Sequence, residues 1–127
     1  MSEIFILKVE DGASYNDDVY DYWITCELKN NQKIMLFDYK RIGLNEFLNK
    51  WVDAQIQALF VQLNKNKDLL SLEGKITFKN DKYFFSNEAI SIEVSNEDVE
   101  SQELKLNTQS VFYFGRLDIV GFNQVKC

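Results

Sequence analysis

The side chains best able to do chemistry in this chain are carboxylates, and Asp17, Asp18 and Asp21 stand close enough in sequence to offer oxygen ligands to a hard cation. A calcium loop, however, needs acceptors at alternate positions, an internal glycine and a closing bidentate carboxylate, and this spacing supplies none of that order. The segment reads instead as a solvated acidic loop or as a patch for a partner. Glu97, Asp98, Glu100 and Glu103 form a second acidic run within the polar segment 95–103, open to the same two readings.

Nucleophilic catalysis has little to draw on. Histidine is absent, which removes the commonest general base, the usual partner of a serine or cysteine nucleophile and a frequent zinc ligand. Cys26 and Cys127 are the two cysteines, too few and too far apart for a zinc site, and both read as free thiols. The five glycines (Gly12, Gly43, Gly74, Gly115 and Gly121) stand singly and build neither a phosphate-binding loop nor a dinucleotide fingerprint. No catalytic residue, metal or cofactor is therefore assigned, and an enzyme relying on carboxylate, lysine or tyrosine alone has no constellation behind it.

Binding chemistry is better represented. Trp23 falls on the polar side of a predicted strand beside Thr25 and Glu27, where it serves either a small second core or an exposed anchor. With Tyr39, Lys40, Arg41 and Tyr83 it makes up a candidate set for stacking on a base or ring and holding an anion. Trp51, at helical spacing, is expected in the core.

The elements that must carry these residues follow from periodicity. Ile4 to Glu10 alternates as a strand with Phe5, Leu7 and Val9 on one face. Tyr20 to Leu28 gives a second strand, and Asn30-Asn31 turns it into an antiparallel partner from Lys33 to Tyr39. Past Gly43, the steps Leu44, Phe47, Leu48, Trp51 predict an amphipathic helix as far as Val52, although Gln55 to Gln62 also scans as a strand. Further strands are expected around Leu70 to Phe78 (with a bulge at Gly74), around Asn80-Asp81 into Tyr83 to Phe85, and over Ile90 to Val94. Ser110 to Val120 is apolar on both faces and belongs inside a sheet or barrel. The expected fold is a single α+β domain over 1–127: an antiparallel sheet or small curled barrel of about six to eight strands packed on one main helix.

Charge adds the last constraint. Residues 1–28 carry one base and seven acids, 29–82 ten bases and six acids, and 83–127 three bases and seven acids, for a net of −6. If the fold gathered the basic middle on one surface, the molecule would be electrostatically two-faced. No apolar stretch is long enough for a membrane span, and the opening residues lack the pattern of an export signal, so a cytoplasmic protein is expected. Abundant asparagine and lysine with no proline suggest an AT-rich bacterial or phage source. These features favour a non-catalytic protein-binding module, an inhibitor of immunity or anti-defence type that blocks a basic partner surface through Asp17, Asp18, Asp21, Trp23 and the Glu97 to Glu103 run. The alternative is a small β-barrel that binds a nucleotide, oligonucleotide or other small ligand. Long nucleic acid is disfavoured by the acidity, and a homodimer is compatible with either reading.

Overall fold

The computed structural model describes residues 2–125. Its first three long strands meander antiparallel: β1 (Ser2–Asp11), β4 (Tyr22–Glu27) and β5 (Lys33–Asp38), with a two-stranded hairpin of β2 (Ser14–Tyr15) and β3 (Asp18–Val19) inserted after β1. Next comes β6 (Trp51–Ala58), which returns to lie beside β1, so the spatial order β6-β1-β4-β5 is a Greek key. The last strand, β12 (Leu117–Gln124), runs parallel to β5 and antiparallel to β6 and closes a five-strand barrel.

Residues 61–114 form a second curled sheet between β6 and β12. From the same edge of β6 that holds β1, β10 (Ser91–Val94) leads to β9 (Lys82–Ser86), then β8 (Leu70–Lys79), then β11 (Ser110–Phe114). The sheet then comes back to its origin, because β11 pairs with β7 (Val61–Gln62), which continues the chain just beyond β6. Ser2 joins the two halves: its hydroxyl accepts the Ser91 N–H at 2.7 Å and donates to the Ser91 carbonyl at 2.9 Å.

The inward face of each strand is written by alternation. Ile24 and Cys26 on β4, Ile34 and Leu36 on β5, and Val52, Ala54 and Ile56 on β6 are buried. In the second sheet Leu72, Ile76, Phe85, Ile92, Phe112 and Phe114 do the same, and Phe85 meets Phe112 and Phe114 edge-on at 5.6 and 5.2 Å. On β1 the face differs from the expected one: Ile4 and Ile6 point inward, and a bulge between Ile6 and Lys8 brings Val9 opposite Ile24. The bulge lets one strand keep two inward registers.

The strand-rich, barrel-like part of the expected fold is present; the main helix is not. Leu44–Phe47 forms only a 3-10 turn, and Trp51 onward is strand. Two left-handed residues explain the break, Gly43 at φ 88° and Asn49 at φ 61°. The Asn49 N–H then donates to the Ile6 carbonyl at 2.7 Å and the Ile6 N–H to the Lys50 carbonyl at 3.1 Å, delivering Trp51 into the sheet. The same change takes Trp51 out of the core and leaves it 37% exposed. Among the described residues the one α-helix, α1 (Asn96–Ser101), lies in the segment read as an acidic loop, and its first turn is capped by Ser95 Oγ accepting the Asp98 N–H at 3.1 Å. No helix among the described residues is long and apolar enough to cross a membrane.

Gly74 was expected at a bulge, yet its pairings with Ser110 on one side and of Lys75 with Ser86 on the other run in register. Its role is close approach: a Cβ there would lie 2.5 Å from the Ser86 carbonyl oxygen and 2.7 Å from the Phe85 ring. Gly74→Ala should cost roughly 1–3 kcal/mol of folding stability through overpacking. Urea denaturation checks this, and a loss below about 0.5 kcal/mol, the scatter of ordinary surface substitutions, would refute it.

Asp98 is buried at 8% exposure, and among the described residues its Oδ2 has no hydrogen-bond partner. Burial raises its pKa, against the lowering effect of hydrogen bonds from Ser95 and the Val61 backbone. The folded state therefore holds a proton at pH values where the unfolded chain has lost it, and stability falls as pH rises through that window. Asp98→Asn lacks this titration. The stability of D98N relative to the parent should increase as pH is raised from about 4 to 7; a difference that stays constant across that range in thermal melts would show that Asp98 does not titrate abnormally.

Candidate ligand-binding surface

On the outer face of the β4–β5 ribbon the residues that alternate with the core are Trp23, Thr25 and Glu27, opposite Phe37, Met35 and Lys33 respectively. An apolar residue on both faces of β5 is the departure from simple alternation, and it makes this surface sticky. The Trp23 and Phe37 rings lie 4.8 Å apart at 54°. The Arg116 guanidinium sits 4.4 Å from the Phe37 ring centre on the adjoining strand side, which extends the stack.

Arg116 is held there by a two-point pair: its Nε donates to Asp118 Oδ1 at 2.7 Å and its Nη2 to Oδ2 at 3.1 Å. Asp118 is 7% exposed and lies opposite Phe37 in the parallel β5–β12 ladder. Such a bidentate pair fixes the plane of the guanidinium as well as its position. The row Trp23, Phe37, Arg116, Asp118 is thus a continuous strip across three strands, its two rings tilted against each other and its guanidinium fixed by Asp118.

Beside the strip runs a groove of about 430 Å³. One wall is Trp23, Thr25, Lys33 and Met35; the other comes from the second sheet, at Asp68 to Leu70 and at the turn from Phe114 to Leu117. The far side of Trp23 and Met35 borders a smaller hollow with Glu10 and Asp11, so the indole stands as a ridge between two concavities. Met35 is 49% exposed. Directly beneath, burial pushes the Cys26 thiol up to about 12, which leaves it protonated and inert at neutral pH. Cys127 lies outside the described residues.

The sequence-predicted residues separate into those the fold brings near this strip and those it does not. Tyr39, Lys40 and Arg41 follow β5 at the Trp23 end of the ribbon; Lys40 Nζ lies 5.9 Å from the Tyr39 ring, and Arg41 donates to the Val19 carbonyl at 3.4 Å. That contact ties the turn to the β2–β3 hairpin, whose tip carries exposed Asp17 and Asp18. Asp21 is used structurally, accepting the Ala13 N–H at 2.6 Å to close the hairpin base. Tyr83 belongs to the second sheet, 4.9 Å from Phe78. Glu97, Glu100 and Glu103 lie on or just after α1, against β7 and β9, and buried Asp98 is not available to a partner as an exposed carboxylate. Among the described residues no three acidic or cysteine side chains gather as a metal site.

Phe37, Met35, Lys33 and the Arg116–Asp118 pair were not singled out in the sequence. Two signals for them were there: the outward apolar positions of β5, and Arg-x-Asp on a strand, a spacing that puts both side chains on one face. At two points the basic residues of 29–82 are met by acids of the flanking blocks. Lys29 pairs with Glu3 and Lys82 with Glu93. Comparison with known proteins returned no match, whether to protein-family models, to curated proteins or to solved structures.

Proposed function

We propose that this chain is a non-catalytic binding module that takes a short single-stranded oligonucleotide on the outer face of β4 and β5. The observation that carries this reading is the coincidence of the aromatic strip with one place in a five-strand Greek-key barrel. In barrels of this architecture the second and third strands, flanked by the loops after the first strand and between the fourth and fifth, form the surface that binds oligonucleotides and oligosaccharides. Here those strands are β4 and β5, the first loop is the β2–β3 hairpin, and the second is expanded into the sheet that walls the groove. Trp23 and Phe37 offer stacking faces, Lys33 offers a cation, and the Asp118-paired Arg116 offers a further stacking plane with spare donors.

A net charge of −6 restricts the ligand to a short strand gripped by stacking more than by counterion release. Fluorescence anisotropy with a labelled strand of about ten nucleotides, within the site size of one such barrel, tests the proposal at low salt. Trp23→Ala should weaken binding by about 1–3 kcal/mol, the usual worth of one stacked base. Lys33→Ala should flatten the salt dependence by about 0.7 in slope, as expected for one lost phosphate contact. Absence of binding by the parent protein, or a W23A variant that binds as well as the parent, rejects the oligonucleotide.

A second reading, a protein-blocking module, is favoured by a separate observation. Exposed Asp17 and Asp18 project from the hairpin next to a surface rich in Trp, Tyr, Met and Arg, the residue types enriched at protein interfaces. It takes over if a purified partner loses affinity on Trp23→Ala and on Asp17→Lys while oligonucleotides do not bind.

A further inference from the structure

We propose that a second groove, at the end of the five-strand barrel where β6 starts and β12 finishes, binds a planar aromatic anion of nucleoside-monophosphate type. The groove has a volume of about 510 Å³, within the range of small-molecule sites, and it shares no lining residue with the β4–β5 surface. Trp51 and Phe47 are its aromatic walls, and Lys29, Lys50, Glu3 and Gln124 are its polar groups.

Both rings are fixed from behind. Trp51 meets Phe5, its partner across the β1–β6 ladder, at 5.4 Å, and Phe47 meets Phe122 edge-on at 5.0 Å. A ring entering the groove thus finds aromatic surfaces already ordered and pays little to arrange them. The cations lie over those rings, so an entering ring displaces each ammonium from its aromatic face and keeps it as the partner of the ligand's own anionic group. Lys29 Nζ lies 5.1 Å from the Trp51 ring centre and forms an ion pair with Glu3. Lys50 Nζ lies 6.0 Å from the Phe47 ring centre and has no ion pair among the described residues.

Two lysines against one glutamate reverse the sign of the protein's net charge within this groove. An acidic molecule ordinarily repels anions, so a local excess of positive charge beside aromatic walls selects a ligand that carries both a ring and a negative group. The ring rests against Trp51 and Phe47, the anion meets Lys50 and Lys29, and the Gln124 amide is at hand for a ring or sugar polar group.

The two tryptophans make the test clean, since one belongs to each surface. In the full-length Trp23→Phe protein Trp51 is the sole indole, and its emission is titrated with adenosine 5′-monophosphate, adenosine and inorganic phosphate at low salt. Saturable change with the monophosphate is expected, with adenosine about tenfold weaker for want of a charge-assisted contact. Lys50→Met, which keeps the aliphatic stem, should weaken the monophosphate by a similar factor, and a thermal melt confirms that the variant is folded. The proposal is overturned if Trp51 emission does not respond, if adenosine binds as tightly as its monophosphate, or if the folded K50M protein binds like its parent. The Trp51→Phe protein, with Trp23 alone, reports the β4–β5 surface instead. Its failure to respond to oligonucleotide, with Trp51 still responding to the monophosphate in W23F, rejects the oligonucleotide reading and leaves this site standing.

Discussion

Backbone groups on β6 have to be hydrogen-bonded along both edges, and the way they are satisfied decides the rest of the molecule. One edge is taken from Val52 to Ala58 by β12, with one bulge at Ile119 to Gly121. The other is divided: β1 covers Trp51 to Ala54, and β10 picks up at Gln57. Because β1 also pairs with β4 on its far side, its half of the edge closes a barrel, while the β10 half must start a different sheet. Ser2 sits where the two neighbours meet, and its reciprocal hydrogen bonds with Ser91 fill the gap. Both curled sheets thereby grow from one strand, and neither leaves that strand an open edge for another chain to pair with.

The same division places the candidate ligand surface. A barrel alone would present Trp23 and Phe37 on an open convex face, where a ligand could touch only one side. The second sheet returns along β11 and passes through Gly115 and Arg116 into β12, bringing Phe114 to Leu117 and Asp68 to Leu70 over the ribbon as a wall. Gly115 makes that return tight, since a Cβ there would fall 2.9 Å from Phe60 Cβ. Arg116 enters the site as a consequence of topology, carried to Phe37 by the first residues of the closing strand.

Sequence reasoning recovered the hairpin of β4 and β5 because a local asparagine turn and strict alternation said the same thing. Asn31 does adopt the left-handed backbone, at φ 69°. The stretch after Gly43 misled because two periods coexist there. Leu44, Phe47, Leu48 and Trp51 step like a helix, whereas Val52, Ala54, Ile56 and Ala58 alternate like a strand. Tertiary pairing on both edges favoured the strand, which no local propensity could reveal. The helix that does exist was legible in principle from Ser95 followed three residues later by Asp98, but a six-residue helix leaves almost no periodic signal. Trp23 was recognised as out of place on a polar face; Phe37 opposite it was legible as an outward apolar position of β5, whereas the contact with Arg116 was not, because Arg116 lies far along the chain and reaches Phe37 only through the parallel β5–β12 ladder.

Acidity was the feature that most discouraged a ligand of negative charge, yet a net value says little about the charges that line any one groove. Arg116 is matched by buried Asp118, so it contributes a stacking plane and spare donors more than a free charge. Lys33 and Lys50 stand instead at concavities lined by aromatic rings, and Lys29 shares the second of these with its ion-pair partner Glu3. The exposed carboxylates of the hairpin tip and of α1 are carried on other elements. At ordinary ionic strength charges more than about 8 Å apart are largely screened in solvent, so a groove responds mainly to the few charges on its own walls. For the aromatic anion proposed above, affinity would then be set by the one or two lysines and the rings on the groove's own walls, and a longer polyanion would have to cross the acidic surface beyond them.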